Sequence, residues 1–513
     1  DVMIFFDGGS SSMHGISERL DDFADWSGLK VNKDKSQLFQ AGLDPTDQVI
    51  SSAYGFPLGT LPIRYLGLPL MSRKLRIADY GPLLDKLSAR FRSWVSKSMS
   101  FAGRAQLISS VIFGLINFWM STFLLPKGCI QKLEGLCSKF LWSGNVDARK
   151  GAKVSWVDCC LPKSEGGLGF RRFGDWNKTL LLRLVWGLFD RPTSLWTQWQ
   201  RHHRLGGASF WQVDAHSSDP WSWKMLLNLR PLAEKFIKAR VGNGADVSFW
   251  FDSWTPLGPL IKVLDDVGSR PLRIPIGAKV KDAYDLSGWR LPLSRSFTAD
   301  SILSHLTPLP APLPHLESDS YYWSVDDLEL QGYSAASTWE ALRPRRPVMS
   351  RANSIWFKGV VPKHAFNMWI AHLDRLPTRQ RLFSWILISS SECCLCSFDT
   401  ETRDHLLLLC DFSSQVWRLV FLRLCPRQRL FCSWAELLSW TSCSSPAAPS
   451  ILRKAVAQLV VYSLWRQRNN VLHNSLRVSV SGVFRLIDLE VRNVISSRRH
   501  RKRWRELMVL WIR

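Results

Sequence analysis

The sequence predicts an α+β protein of several domains, and three observations lead to that prediction. A chain of 513 residues exceeds the roughly 250–300 residues at which one hydrophobic core stops growing, so about three domains are expected. Hydrophobic residues make up 46% and charged residues 21% of the chain, which is typical of globular proteins. Short strand-like runs near the beginning are followed by long stretches with helical periodicity.

The first forty residues have the pattern of an α/β unit. The run "VMIFF" at 2–6 predicts a strand, and the stretch after it places Ile16 and Leu20 on one face of a helix. Gly28 is expected to end that helix, because glycine readily adopts the left-handed conformation found at helix C-termini. The run "LKVNKDKSQLF" at 29–39 predicts two strands around a polar turn.

The pattern becomes helical between about 60 and 145. One stretch in this region could be either a membrane-spanning helix or a helix buried in a protein core. Residues 105–125 contain no charged side chain and are long enough to span a bilayer. They also contain six polar residues, and their apolar residues recur at helical spacing. The sequence therefore favours a core helix, with Ser100 as N-cap, and predicts no membrane partner.

The rest of the chain divides at a proline-rich segment. Residues 146–306 are rich in tryptophan and contain "SEGGLGF" at 164–170 and "GNGADVSFWFDSW" at 242–254, whose spacing indicates no particular chemistry. "TPLPAPLP" at 307–314 has a proline at every second position and predicts an extended linker. Beyond it lie a segment with clustered cysteines and, from about 450, two predicted helices.

The net charge indicates a polyanionic partner. Lysine and arginine number 67 against 43 acidic residues, which gives +24, and on charge alone nucleic acid and an anionic membrane surface are the two candidates. Eleven scattered cysteines without a signal peptide indicate a reducing compartment, nuclear or cytoplasmic, and not secretion. One basic run is equally typical of a phosphate-binding surface, a nuclear import signal and a solvated helix face. Its members are Arg498, Arg499, Arg501, Lys502, Arg503 and Arg505.

The stretch "ECCLCSFDTETRDHLLLLC" at 392–410 predicts a metal site. Cys393 and Cys396 have the two-residue gap that lets two thiolates of a tight loop reach one ion, and His405 and Cys410 would complete a tetrahedral site. Three thiolates and one imidazole favour zinc, and four protein ligands leave no open position, so the site is structural rather than catalytic. The alternative is a group of ordinary buried thiols with a packed histidine.

Two details of this stretch are left open by the spacing. Cys394 is left over, because its one-residue gap to Cys396 makes a poor chelating pair. On an ideal helix His405 and Cys410 do not share a face, since five residues turn the helix well past one full turn. Either a helix begins near His405, or Cys410 lies in the turn beyond it, before Asp411.

Several stretches resemble the C-terminal part of the reverse transcriptases of plant LINE-type (non-LTR) retrotransposons. "DVMIFFDG" at 1–8 resembles the strand after that family's Phe/Tyr-Ala-Asp-Asp hairpin, which implies that Asp1 is the second metal-binding aspartate. "SGLKVNKDKSQLF" resembles the Gly-Leu-x-x-Asn-x-x-Lys-Ser element, which implies a catalytic role for Lys35 in proton transfer to pyrophosphate. "LPIRYLGLPL" resembles the primer-grip hairpin and implies nucleic-acid contacts at Tyr65 and Gly67.

The resemblance continues through the second half of the chain. Residues 100–144 are similar to the family's thumb helices. The cysteine cluster, with Glu401, Thr402, Leu406 and Trp417 at their motif positions, resembles the zinc-binding domain of the same enzymes.

Together these matches imply a domain order, with a remnant of a polymerase palm, a mainly helical thumb, a tryptophan-rich connection and a small, mainly helical zinc-binding domain. The expected ranges are late palm with primer-grip hairpin 1–70, thumb 71–145, connection 146–306, linker 307–318, zinc-binding domain 319–445 and basic C-terminal helices 446–513.

The resemblance implies RNA-directed DNA polymerisation by the parent enzyme, with an RNA template and a DNA primer, or an RNA–DNA hybrid, as partners and no small-molecule substrate identified. Structural zinc is the expected metal here, and magnesium is expected only in the intact parent. The family's fingers, its early palm aspartate and the first hairpin aspartate would lie before residue 1, so these 513 residues are expected to be inactive alone. The alternative is a non-enzymatic, zinc-dependent protein derived from a retroelement that binds nucleic acid or other proteins.

Overall fold

The structure is a computed structural model of the chain. It describes residues 2–39, 54–71, 73–94, 99–148, 151–190, 194–263, 272–285, 288–290, 297–309, 312 and 317–512. They form two compact units, the first comprising Asp1–Pro82, Thr122–Pro126 and Leu182–Tyr333 and the second Leu83–Ser121, Lys127–Leu181 and Ser334–Arg513. Helices predominate and the described strands form small antiparallel sheets, which confirms the predicted α+β, multidomain class.

The first unit contains the described strands and several short helices. Its helices are Ser10–Ser27, Leu195–Gln200, Trp221–Asn228, Arg230–Ala233, Leu260–Val263 and Phe297–Leu306, with short 3-10 helices at Lys33–Lys35, Ile77–Tyr80 and Val280–Ala283. Its strands are Ile63–Tyr65, Leu68–Leu70, Ile237–Arg240, Tyr284–Asp285, Gly288–Trp289, Ser320–Val325 and Leu328–Leu330.

A three-stranded antiparallel sheet organises the core of this unit. Strand Ser320–Val325 lies in the middle and pairs with Ile237–Arg240 on one side and Leu328–Leu330 on the other. Trp323 of the middle strand is fully buried, and its ring stacks on Phe236 with 5.1 Å between centroids. Part of the tryptophan content of this region is therefore explained by core packing.

The motif "GNGADVSFWFDSW" at 242–254 is a structural loop. The Asp319 carboxylate accepts hydrogen bonds from the backbone N–H groups of Gly242 and Gly244, both at 2.8 Å. A Cβ at Gly242 would lie 2.0 Å from the Glu317 carbonyl oxygen, so only glycine fits there. Phe249 and Trp250 of the same motif are fully buried in the core.

At the beginning of the chain the structure confirms one prediction and contradicts two others. The helix Ser10–Ser27 ends at Gly28, which has φ 71° in the left-handed region, as predicted. The strand predicted at 2–6 is wrong, because those residues pair with no strand among the described residues and Phe5 is 88% exposed. The two strands predicted at 29–39 are also absent, and a 3-10 turn with a single bridge from Leu38 to Leu58 stands there.

The second unit is helical. Its helices are Gly81–Ser93, Phe101–Leu107, Phe113–Met120, Lys127–Ser143, Trp156–Cys159, Phe173–Asp190 as far as Leu181, Ala335–Leu342, Ala352–Ile355, Pro362–His372, Arg379–Ser384, Asp411–Leu424, Trp434–Ser442, Ser450–Asn474, Val480–Ser496 and Leu507–Ile512.

The uncharged stretch near 105–125 forms a helix interrupted by one π-helical turn at Ile108–Ile112. Ser100 caps its start by accepting a hydrogen bond from the Gly103 N–H, as predicted. The helix Phe101–Met120 is long and apolar enough to cross a membrane, and 22% of its most apolar window is buried in the structure. A buried core helix can have the same length and composition. The absence of a membrane partner therefore stays a prediction.

The motif "SEGGLGF" at 164–170 is a tight turn. The Gly167 N–H donates to the Pro162 carbonyl at 3.0 Å, and the Leu168 N–H donates to the Cys159 carbonyl at 3.0 Å. The indole N–H of Trp369 donates to the Gly166 carbonyl at 2.7 Å. This turn therefore brings the loop against the helix Pro362–His372, within the same unit.

We expect Gly167→Ala to destabilise the second unit by at least about 2 kcal/mol, as severe overpacking does. A Cβ at Gly167 would lie 2.0 Å from the Leu161 carbonyl oxygen, and that backbone atom cannot move aside cheaply. Denaturant unfolding measures the change. Gly135→Ala is the control, because a Cβ at Gly135 meets nothing within 4 Å, and it should be neutral or slightly stabilising. Equal stabilities for the two variants would contradict the prediction.

The end of the chain differs from the predicted pair of helices. Three helices are present, Ser450–Asn474, Val480–Ser496 and Leu507–Ile512. The basic run does not lie inside a helix, because the turn after Ser496 and a 3-10 helix at Lys502–Trp504 separate the last two. It is called the basic turn, residues 498–505, below.

Candidate metal centre

A tight loop, residues 392–400, positions the first two thiols and is called the knuckle. Its ends pair through an antiparallel bridge between Glu392 and Thr400. The Cys393 N–H donates to the Asp399 carbonyl at 2.7 Å, and the Ser397 N–H donates to the Cys393 carbonyl at 2.7 Å. Ser397 has φ 62°, in the left-handed region, which reverses the chain directly after Cys396.

A π-helical turn positions the other two ligands. His405–Leu409 form this turn, and the Cys410 N–H donates to the His405 carbonyl at 2.7 Å. Because π-helical bonding joins residues five apart, it brings together two side chains that an α-helix would separate. Cys410 then directly precedes the helix Asp411–Leu424. Both alternatives left open by the spacing thus hold, with a helical turn beginning at His405 and Cys410 just beyond it.

The four predicted side chains converge. Their ligand atoms all lie within 4.8 Å of one another. The sulfurs of Cys393 and Cys410 are 3.9 Å apart, and Cys396 Sγ lies 3.3 Å from His405 Nε2. Cys393, Cys410 and His405 are buried, so water has little access to this group. The cluster could bind a metal ion through three sulfurs and one nitrogen.

The backbone favours negative charge on two of these sulfurs. The pKa of Cys393 is lowered to about 5, first because Cys410 donates a hydrogen bond to it and also because the N–H groups of Leu395 and Cys396 face it. The pKa of Cys410 is raised, because its sulfur holds the proton shared with Cys393 and is buried. The N–H groups of Phe412 and Ser413 act in the opposite direction on Cys410. A divalent metal would replace the shared proton, since metals bind thiolates.

The imidazole of His405 is oriented for the same role. Its Nε2 faces Cys396, and its Nδ1 lies 3.5 Å from Asp399 Oδ2. A carboxylate beside the second ring nitrogen is the usual way in which a metal-bound histidine is held. The backbone N–H of His405 donates to Thr402 Oγ1 at 3.0 Å, which fixes the start of the π-helical turn.

Cys394 points away from the cluster. Its sulfur lies 3.8 Å from the Arg468 carbonyl oxygen in the helix Ser450–Asn474. Burial, followed by the nearby Glu401 carboxylate, raises the pKa of this thiol to about 12. Cys394 therefore remains a neutral thiol at physiological pH and serves below as a control for the four candidate ligands.

A buried ion pair joins the segment that carries the cluster to the helix Ser450–Asn474. Glu401 is fully buried and Arg468 is 2% exposed. Oε1 of Glu401 accepts from Arg468 Nη2 at 2.8 Å and from the Arg379 N–H at 2.8 Å. The Arg468 guanidinium also donates to the Pro377 carbonyl at 3.0 Å. Sequence reasoning missed Arg468, because it lies 67 residues from Glu401 in a helix without any metal-site spacing.

The remaining residues of the predicted motif have structural roles. The Trp417 indole N–H donates to the Leu407 carbonyl at 2.9 Å, and Ser413 Oγ donates to the Leu406 carbonyl at 2.6 Å. Both bonds run from the helix Asp411–Leu424 to the π-helical turn. They satisfy carbonyl groups that the wide turn leaves buried, as buried polar groups require.

The donor chemistry of this cluster fits zinc. Three sulfurs and one imidazole nitrogen are the ligand set of structural zinc sites, and four protein ligands complete a tetrahedron without a position for substrate. Bound zinc would supply cross-linking of the knuckle to the π-helical turn. Cys393, Cys396, His405 and Cys410 are the side chains that would hold it.

The predicted palm residues belong to the first unit, and the cluster belongs to the second. Asp1 lies outside the described residues. Lys35 is exposed at the end of a 3-10 turn, where its N–H donates to Asn32 Oδ1 at 3.1 Å. Tyr65 and Gly67 belong to an antiparallel hairpin in which Leu66 and Gly67, with φ 50° and 82°, form the turn. Two consecutive residues with positive φ are typical of a type I′ hairpin turn.

The basic turn contains two kinds of side chain. Arg498 donates to the carbonyl oxygens of Gly359 and Val494 and lies over the Trp504 ring at 5.4 Å. These contacts hold Arg498 against its own unit, and burial lowers its pKa. The other predicted members are exposed around the buried Trp504, namely Arg499, Arg501, Lys502, Arg503 and Arg505.

Comparisons with known proteins agree with this geometry. A family model described as zinc-binding in reverse transcriptase matches residues 333–417. A candidate ribonuclease H protein of Arabidopsis thaliana is 27% identical over 373 residues, which cover 71% of this chain and 58% of that protein. An uncharacterised mitochondrial protein of the same plant is 30% identical over 146 residues, 28% of this chain and 95% of that protein.

The chain thus spans 58% of the length of the first of these relatives. The family match covers all four candidate ligands, which lie between 393 and 410. The chain belongs to the retrotransposon reverse-transcriptase family and carries that family's zinc-binding domain.

Proposed function

We propose that this chain binds the template and primer of a plant LINE-type reverse transcriptase, as an RNA–DNA hybrid, through a surface that a structural zinc site stabilises. The observation that carries the proposal is the closed Cys₃His cluster within the matched zinc-binding domain. A net charge of +24 supports a polyanionic partner. The two plant relatives support an origin in plants.

The basic turn is the proposed phosphate-binding surface. Trp504 is 1% exposed and holds the turn against its own unit, while five cationic side chains next to it face solvent. Such an arrangement gives phosphate contacts without reading base sequence. Arg498 supports the turn from within, through its bond to Gly359.

The palm-like residues complete the proposal. The hairpin with Tyr65 and Gly67 at its turn is proposed to contact the primer. Lys35 is exposed and is proposed to act as a proton donor only in the intact enzyme, together with Asp1 and magnesium. Polymerisation itself is a proposal for the parent enzyme. The proposed location is the nucleus or the cytoplasm.

We expect binding to an RNA–DNA hybrid to weaken steeply as salt increases from low to physiological concentration, since counterions are released from the phosphates. Replacing Arg499, Arg501 and Arg503 together by alanine should lower the slope of log K against log salt by about 1 to 3, at roughly 0.9 per lost phosphate contact. Fluorescence anisotropy with a labelled hybrid measures both quantities.

The control removes the same charge elsewhere on the second unit. Arg427, Arg429 and Arg485 are exposed and lie outside the basic turn, so their replacement should change the slope much less. Equal slopes for the two triple variants would remove the basic turn from the proposal. Absent or salt-independent binding by the unaltered chain would overturn the proposed function itself.

A non-enzymatic role remains the second candidate, and one observation favours it. The cluster found among the described residues is a closed thiolate site, which suits a structural role. A protein that retains hybrid binding without any polymerase partner would fit this candidate.

A further inference from the structure

A short helix in the first unit buries polar side chains and exposes apolar ones. It comprises Leu195–Gln200 and the π-helical turn Arg201–Leu205 and is called the tryptophan helix, residues 195–205. Thr197 is fully buried and Gln200 is 8% exposed, whereas Trp196 and Trp199 are 40% and 46% exposed. A surface helix normally buries its apolar side chains and exposes its polar ones. Exposed tryptophans opposite a polar buried face call for an explanation.

The buried face fixes this helix in place. Thr197 Oγ1 donates to the Gly187 carbonyl at 3.0 Å, and Ser194 caps the helix by accepting from the Thr197 N–H at 3.1 Å. A Cβ at Gly187 would meet Trp196 Cζ3 at 3.9 Å, so the edge of the Trp196 ring rests close to this backbone. The helix is thus attached through polar contacts of its buried face and through one edge of the Trp196 ring.

The exposed rings form a row. Trp196, Trp199 and His203 are spaced i, i+3 and i+7, which places them along one face of a helix. The rings of Trp199 and His203 lie 4.9 Å apart, and the Arg204 guanidinium is 5.4 Å from the Trp199 ring. Trp199 is therefore held between neighbours while nearly half of its surface stays open to solvent.

The tryptophan helix itself carries basic side chains and no acidic ones. Residues 194–213 contain two arginines and two histidines and no aspartate or glutamate. Arg201 is exposed and donates to the Leu188 carbonyl at 3.0 Å, while Arg204 is paired with Asp219 at 3.0 Å. Exposed aromatic rings beside cationic side chains are the combination on which bases of a single strand stack.

We propose that the tryptophan helix is a stacking surface for unpaired bases of a single-stranded nucleic acid, with Trp196 and Trp199 as the base-contacting residues and Arg201 beside the backbone. The inference rests on the proposed function, to which it adds a second binding surface in the other unit. Stacking tolerates any base sequence, because every base has an aromatic face. This surface would therefore hold a strand before or after it pairs.

The test uses the full chain and a labelled single-stranded RNA of about 16 nucleotides, a length within the range of single-strand binding sites. Trp196→Ala/Trp199→Ala is expected to bind this strand about 10- to 100-fold more weakly than the unaltered chain, at about tenfold per lost stack. Trp196→Phe/Trp199→Phe should retain most of the affinity, because phenylalanine still stacks. This conservative variant also shows whether a loss in the alanine variant came from unfolding.

Leu195→Ala is the matched control. Leu195 is 85% exposed on the same helix, is apolar and cannot stack, so its replacement should leave binding unchanged. A loss of RNA affinity as large as that of the tryptophan variants would show that base stacking does not account for the binding and would overturn the proposal. The same conclusion would follow if the chain self-associated without RNA and Leu195→Ala abolished that association in light scattering.

A strand of equal length without bases separates stacking from phosphate contacts. The unaltered chain and the double alanine variant should bind it equally, because the phosphates remain and the bases are gone. A difference between them on this abasic strand, or none on the normal strand, would overturn the proposal. Binding of the RNA–DNA hybrid by the double alanine variant should stay normal, so failure here is distinguishable from failure of the proposed function.

Discussion

Replacing Cys396 and Cys410 together by serine is expected to remove one equivalent of zinc per chain and to unfold the segment around 385–420. Each residue supplies one of four clustered ligand atoms, and two ligands cannot hold zinc tightly. Zinc binding contributes about 10–16 kcal/mol in small zinc-dependent modules, and that free energy is also folding free energy. Elemental analysis measures the metal, and hydrogen exchange of the 385–420 peptides measures the loss of structure.

Cys394→Ser provides the matched control. Cys394 lies between two candidate ligands in sequence, but its sulfur faces the Arg468 carbonyl oxygen. We therefore expect this variant to keep one zinc and normal exchange protection at 385–420. Zinc retained by the Cys396 and Cys410 double variant would show that the ligand assignment is wrong.

Replacing Glu401 by alanine is expected to destabilise the second unit by about 3–5 kcal/mol. The substitution leaves Arg468, which is 2% exposed, without its carboxylate partner. Removing one member of a buried ion pair leaves a charge that neither water nor protein compensates. Denaturant unfolding followed by hydrogen exchange in the helix Ser450–Asn474 measures the loss.

An exposed pair in the same unit supplies the comparison. Arg92 and Asp147 form a bond of 3.1 Å with both side chains more than half exposed, so Asp147→Ala should cost under about 1 kcal/mol. Replacing both buried partners, as Glu401→Leu with Arg468→Met, should recover much of the loss, since no unpaired charge remains. If Glu401→Ala cost no more than Asp147→Ala, the importance of the buried pair would be refuted.

Local features of the fold could be predicted because their causes are local. Gly28 ends its helix through its own φ, and Ser100 caps a helix through a bond to the N–H three residues away. The strand predicted at 2–6 was wrong for the opposite reason. β-propensity describes how side chains fit a paired, half-buried surface, and these residues have no strand partner in the described part of the chain.

In the candidate metal centre, too, the local features could be predicted from the sequence and the others could not. The gap between Cys393 and Cys396 indicated a tight loop, and the knuckle has one. The π-helical turn was not predictable, because a short apolar run such as "HLLLL" does not distinguish i+4 from i+5 bonding. Arg468 could not be found either, since its place beside Glu401 depends on how the helix Ser450–Asn474 packs in three dimensions.

The Glu401–Arg468 pair also shows that the zinc-binding segment recognisable in the sequence is shorter than the segment that forms a complete folded unit. The segment that matches the zinc-binding family ends at residue 417. The guanidinium that pairs with its buried Glu401 carboxylate belongs to Arg468. A polypeptide that stopped between residues 417 and 468 would contain every metal ligand and still carry an uncompensated charge in its interior. The smallest piece of the chain that keeps both the metal ligands and a neutralised Glu401 therefore extends into the helix Ser450–Asn474.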